Sequence, residues 1–269
     1  MDSGVLDVPG ARLYFEVRGS GPALLTIIGG GSDAAMAAPL AEALSTRYTV
    51  ITYDRRGATR SPLTGPPAQQ RVEEHACDAL RLLDAAGPDP AYVFATHSGA
   101  MIALDLLARH PGRVRRLVAH EPPVFGLLPD AARWRRLAEE LVDLHAREGI
   151  GPALRKLGEE TGVPPPPEPD PGLPSWVRAM LTRMAANLET SVLHELRPFS
   201  AFVPDAEALR GAPVVLAYGS RTRGRPLHRT TLAVAEHLGT AAVELPGDHV
   251  GYLRSPSEFA QSLHDLLTS

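Results

Sequence analysis

Two histidines sit in settings that could carry chemistry. His97 lies in the short stretch Thr96-His97-Ser98-Gly99-Ala100, directly after the apolar run AYVFA, and His249 lies in the turn LPGDHVGY. A neutral imidazole is a fair nucleophile near neutral pH without a base to activate it, and it also takes up or releases protons there. If one ring attacks a carbonyl while the other activates water, an ester or thioester is hydrolysed through an acyl-imidazole. If both rings stay non-covalent, one accepts a proton and the other donates one, as in elimination, carbon–carbon cleavage or epoxide opening. Two such rings in one pocket would titrate as a coupled pair, because a second positive charge a few ångströms from the first is disfavoured. His75, His110, His194, His228, His237 and His264 read as ordinary core or surface residues.

The elements that must position these rings follow from the hydrophobic pattern. VLDV and RLYFEV flank Pro9-Gly10 and read as a hairpin, since proline presets one turn dihedral and glycine supplies the positive one. ALLTII then ends in Gly29-Gly30-Gly31, and residues 33–44 have helical spacing. The cycle repeats as strand TVITY, turn DRRGATRS and a helix over 71–86, and again as AYVFA, THSGA and a helix to His110, followed by strand RLVAH. Strands that are apolar on both faces and alternate with amphipathic helices predict a parallel sheet covered on two sides. Residues 123–207 hold helical stretches over 130–148 and 174–196 around a proline-rich connector, with no strand pattern. The sheet cycle resumes with VVLAY, a helix over 227–238, AAVELP and a closing helix over 256–267.

This order resembles the α/β-hydrolase superfamily from end to end. LLTIIGGGSD is similar to its oxyanion loop, YDRRGATRS to the turn after the next strand, VFATHSGAMIALDLLARHPGRV to its nucleophile elbow and LPGDHVGY to its catalytic-histidine turn. The resemblance implies an α/β fold with a mostly parallel eight-stranded sheet flanked by helices. Residues 1–122 and 208–269 would form the core, and 123–207 a helical cap inserted after the sixth strand. It also implies that His249 is the general base. The elbow pattern of the superfamily is Gly-x-Ser-x-Gly, and this chain departs from it. With Ser98 as nucleophile the flanking positions would be Thr96 and Ala100, whereas with His97 they are Ala95 and Gly99. The elbow brings those flanking residues almost into contact, so the smaller pair fits better, and the spacing from His97 to Arg109-His110-Pro111 also matches the superfamily. His97 then stands where the serine is expected, with backbone N–H groups of Ser98 and of Gly30 or Gly31 as oxyanion donors. The usual aspartate is missing as well, since Arg221 occupies its place. The superfamily's second acid position, at the end of the sixth strand, holds Glu121, the expected partner of His249.

Within the cap, Trp176, Met180, Leu181, Met184, Leu193, Phe199 and Phe202 recur at spacings that put several on one helical face. Met184, Phe199 and Phe202 are expected to reach the pocket, which implies a small, mainly hydrophobic substrate. Arg221, if turned inward, would bind a carboxylate or phosphate. His97, His249 and Glu121 form a conceivable metal set, but none of them lies in a short ligand-spacing motif, and neither metal nor cofactor is expected. A net charge of −4 with Lys and Arg spread along the chain and no basic face argues against nucleic acid, the single cysteine rules out an intrachain disulfide, and no apolar run is long enough to span a membrane. The expectation is a cytoplasmic enzyme, monomer or homodimer, acting on a small molecule. Lyase or cofactor-independent oxygen chemistry, and a ligand-binding pseudo-hydrolase, remain the alternatives on the same fold.

Overall fold

The computed structural model describes residues 1–87 and 89–269. Its centre is an eight-stranded sheet in the order β1-β2-β4-β3-β5-β6-β7-β8. β1 (Asp2–Val8) and β2 (Ala11–Arg18) form the expected hairpin, with Gly10 at φ +82°, and β2 also runs antiparallel to β4 (Thr49–Tyr53). The remaining pairings are parallel. β3 (Ala23–Ile28) lies between β4 and β5 (Ala91–Thr96), and β6 (Val114–His120), β7 (Val214–Gly219) and β8 (Ala242–Leu245) continue from there.

The two-residue period of the strands decides which layer each side chain joins. Leu25, Ile27, Val93, Ala95, Leu117, Ala119 and Leu216 face one core, shared with α2 (Val72–Ala86), α3 (Ser98–Arg109) and α8 (Pro226–His237). Leu24, Ile28, Phe94, Val118 and Ala217 face the other, shared with α1 (Ala34–Leu44), α9 (Gly251–Arg254) and α10 (Pro256–Thr268). Phe94 and Phe259, both fully buried, meet edge-on at 5.6 Å. Burial of each ring contributes about 2–3 kcal/mol, so Phe259→Ala alone would loosen α10 from the sheet.

Between β6 and β7 the chain forms α4 (Ala131–Glu148), α5 (Ile150–Thr161), α6 (Ser175–His194) and α7 (Leu196–Ser200), and no described residue from 121 to 213 lies in a strand. The helix α5 is not predicted from the sequence, where Gly149, Gly151, Pro152 and Gly158 obscure its apolar spacing. It packs on α4 through Ala153 beside Trp134, Leu137 and Leu141, and Trp134 stacks on Phe125 with ring centres 4.0 Å apart. α6 meets the core at Met36, through Met180 and Leu181. Trp176, expected on that apolar face, is instead 64% exposed, because it lies in the first turn of α6. Among the described residues no helix is long and apolar enough to cross a membrane.

Candidate active site

The carboxyl ends of β3, β5, β6 and β7 converge with the loop after β8, the edge at which open α/β sheets place their ligands. At the end of β5, His97 takes φ +55° and ψ −134° and is followed at once by α3. Among the described residues two non-glycine residues have positive φ, His97 and Glu121, and both stand at this edge. Strained backbone of this kind costs about 1–3 kcal/mol per residue and persists where the surroundings over-determine it. Here the His97 N–H donates to the carbonyl of His120 at 3.0 Å, and its own carbonyl accepts from Ala100 at 2.9 Å. Gly99 has no room for a side chain, since a Cβ there would lie 2.2 Å from the carbonyl oxygen of Ile27.

Glu121 follows β6 and is fully buried. One carboxylate oxygen accepts from the Gly219 N–H at 2.9 Å and from the Thr222 hydroxyl, and the other meets His249 Nδ1 at 2.7 Å. Burial alone would raise its pKa. The hydrogen bond from His249, the nearby His120 and His249 rings and the Thr222 hydroxyl outweigh that effect and bring it to about 2. Glu121 is therefore a carboxylate at any working pH, which places the Nδ1 proton on His249 and leaves its Nε2 lone pair unused. The His249 side chain keeps 15% of its surface exposed.

His97 and His249 meet edge to face with ring centres 5.2 Å apart, and no hydrogen bond joins them. His97 Nδ1 is buried without a partner. Burial first, then His249 and Arg55, push the His97 pKa down to about 3 against a smaller opposing effect of Glu121, so the ring is neutral near pH 7. A third ring, absent from the sequence expectation, belongs to the same group. His120 is fully buried, lies nearly parallel to His249 at 6.3 Å, and joins Thr96 Oγ1 through Nδ1 at 3.0 Å, while its Nε2 has no partner. Burial lowers its pKa to about 4; Glu121 opposes that fall and His249 adds to it. The signal in the sequence was its position next to Glu121 at the end of an inward strand.

The glycine loop differs in detail from the expectation. The Gly30 N–H is committed to Ser98 Oγ at 2.9 Å and is not a free oxyanion donor in this conformation. The backbone N–H groups of Gly31 and Ser98 find no acceptor among the described residues. The Cβ position of Gly30 lies 4.0 Å from His97 Nδ1, so this loop borders the elbow.

The expected pocket lining needs correction. Phe199 joins the main core, edge-on to His75 at 5.5 Å, and Phe202 packs against the same core, because α7 turns the chain back toward α2. Met184 packs with Met36, Met180 and Leu181, and its backbone carbonyl approaches Gly31. Arg221 is exposed and lines a surface crevice with Asp248, Arg254 and Glu258, while its backbone N–H supports the His249 turn through Gly247 O at 2.9 Å. The wall beside Gly30 is polar, formed by Ser32, Arg55, Asn187, Thr190 and Glu195. Among the described residues no group of three or more His, Cys, Asp or Glu side chains is placed to hold a metal ion.

Residues 22–149 match the family described as alpha/beta hydrolase fold. The chain is 37% identical over 276 residues to the uncharacterized hydrolase YraK of Bacillus subtilis (strain 168), covering 99% of this chain and 96% of that protein. It is 26% identical to the zearalenone hydrolase of Bionectria ochroleuca, over 94% of this chain and 92% of the relative. Among solved structures, an alpha/beta hydrolase from Sphaerobacter thermophilus DSM 20745 superposes with a TM-score of 0.70 at 26% identity, over 98% of this chain and 99% of the other. With its sheet order, its elbow and a near full-length relative in agreement, the chain belongs to the α/β-hydrolase superfamily and is a hydrolase-like enzyme.

Proposed function

We propose that this enzyme hydrolyses an ester or thioester of a small, mainly apolar metabolite, with His249 as general base, Glu121 as its partner and His97 as the nucleophile. The observation that carries the reading is the Glu121–His249 contact of 2.7 Å with the neutral His97 ring 5.2 Å beyond it. In this reading residues 123–207 act as the cap over the site, and Met184 is the part of the expected lining nearest the glycine loop. A relative named for the hydrolysis of zearalenone supports hydrolysis of a small molecule.

In the first step a ring nitrogen of His97 adds to the carbonyl carbon, and the oxyanion forms against the N–H groups of Ser98 and Gly31. Collapse breaks the C–O or C–S bond, and the proton lost from the His97 ring leaves with the alcohol or thiol. Water then gives a proton to His249 Nε2 as its oxygen adds to the acyl carbon. The C–N bond breaks, the acid departs, and the proton on His249 returns to the His97 ring. Glu121 stabilises the transient His249 imidazolium, the role of the carboxylate in hydrolase triads. A second reading, in which His249 drives water onto the substrate directly, is favoured by the low basicity of His97, since a ring with a pKa of about 3 is a weaker nucleophile than free imidazole.

The test is turnover of short-chain aryl esters and thioesters by the parent, His249→Ala, His97→Ala and His97→Ser. The reading predicts turnover by the parent and a loss of at least about a thousandfold in His249→Ala. Loss in His97→Ala selects the covalent route, and retention selects direct water attack. An inert parent beside an active His97→Ser would overturn ester hydrolysis as the natural reaction, and inactivity of every protein would turn the search to ligands bound without turnover.

A further inference from the structure

The contacts that hold the glycine loop are not explained by packing alone. Two of its carbonyls, those of Gly30 and Gly31, are held by side chains that α6 and the residue after it brace or supply. Arg55 Nη2 donates to Gly30 O at 2.6 Å, and the same guanidinium makes a two-pronged pair with Glu195 just past α6, at 2.9 and 3.0 Å. Ser191 on α6 steadies that carboxylate with a 2.8 Å hydrogen bond. Asn187 Nδ2 donates to Gly31 O at 3.2 Å, while Asn187 Oδ1 accepts from the Thr59 N–H at 2.8 Å. A Cβ on Gly31 would lie 2.5 Å from Leu188 and 2.8 Å from Met184 O, so α6 rests directly on the loop backbone. Arg183 adds an ion pair to Asp33 at 2.6 Å, where α1 begins. On its other side the loop is pinned by the Gly30 N–H to Ser98 Oγ.

A planar trans peptide points its N–H opposite to its C=O. Pulling Gly30 O toward Arg55 therefore turns the Gly31 N–H to the opposite side, and that N–H finds no acceptor among the described residues. We propose that Arg55, paired with Glu195, and Asn187 are positioning residues that aim the Gly31 N–H at the developing oxyanion, so that the oxyanion loop is completed by docking of the cap helix. The proposal rests on the hydrolytic reading above. It assigns the α6 segment a part in the rate of the reaction as well as in the shape of the pocket: a cap that shifts by an ångström misaims the donor.

Two variants separate positioning from folding. Arg55→Met with Glu195→Leu removes both charges together, and Asn187→Ala leaves the ion pair intact. For the parent and both variants, kcat and KM on an aryl ester are measured alongside the backbone ¹⁵N order parameter of Gly31. The expected result is a kcat lowered ten- to a hundredfold with KM within twofold, and an order parameter falling from about 0.85 to below about 0.6 while the thermal transition stays cooperative. An order parameter that stays high in both folded variants, or a lost order parameter with unchanged kcat, overturns the proposal. A parent that turns over no ester defeats the hydrolytic reading by itself, and the order parameters then still decide whether these residues hold the loop.

Discussion

Acidification should weaken this protein through its buried rings, and His120 gives the cleanest measure of it. His120 is fully buried with a pKa of about 4, against about 6.5 for histidine in an unfolded chain. A folded pKa below the unfolded value means that the unfolded chain binds the extra proton, so the stability held above pH 6.5 is lost as pH falls toward 4. Between pH 6.5 and 5.5 this ring alone should cost about 1 kcal/mol, and His97, with its pKa of about 3, should cost about as much again. His75, fully buried beside Arg55 and Arg56, acts in the same sense. The perturbation is His120→Asn, whose amide can still bond Thr96 Oγ1. Urea unfolding of both proteins at the two pH values gives four free energies. Whatever the variant loses in absolute stability, its drop from pH 6.5 to 5.5 should be smaller than the parent's by about 1 kcal/mol. The same drop in both proteins would refute the claim that His120 is held neutral.

Other consequences are as direct. Gly99→Ala puts a Cβ 2.2 Å from Ile27 O and should destabilise the fold by about 2–3 kcal/mol or prevent it from forming, read as a lowered urea midpoint. Glu121→Gln keeps the shape but lets His249 adopt the other tautomer, so kcat on an aryl ester should fall roughly 10³- to 10⁴-fold while the fold persists. Because His97 stays neutral down to about pH 3, any acid limb of the kcat/KM profile above pH 4 comes from a group other than His97. An active His97→Ser should therefore show the same limb, and a shift of more than one pH unit would contradict this.

The inner strands β3, β4, β5 and β7 are legible because each is a largely apolar run bounded by a turn, the mark that a strand buried on both faces leaves. The pairing of Glu121 with His249 was readable only through the resemblance, since 128 residues separate the two and no local pattern connects them. The polar wall beside Gly30 was not readable. Arg55, Asn187 and Glu195 come from separate parts of the chain, and as single residues in a sequence they read as exposed polar side chains until the fold closes over them. Phe199 was misplaced for a related reason, because helical spacing shows which face is apolar but not which neighbour that face meets. His120 does not stand out in the sequence, because an inward residue of a core strand ordinarily packs and does no more.

The proposed hydrolysis requires the ring at the elbow to carry a covalent acyl intermediate. Stopped-flow mixing of the parent with excess p-nitrophenyl acetate tests this most directly. A burst of close to one p-nitrophenol per protein followed by slower steady turnover is expected, with the burst abolished in His97→Ala. Steady release without a burst, undiminished in His97→Ala, would contradict it and leave His249 acting on water alone.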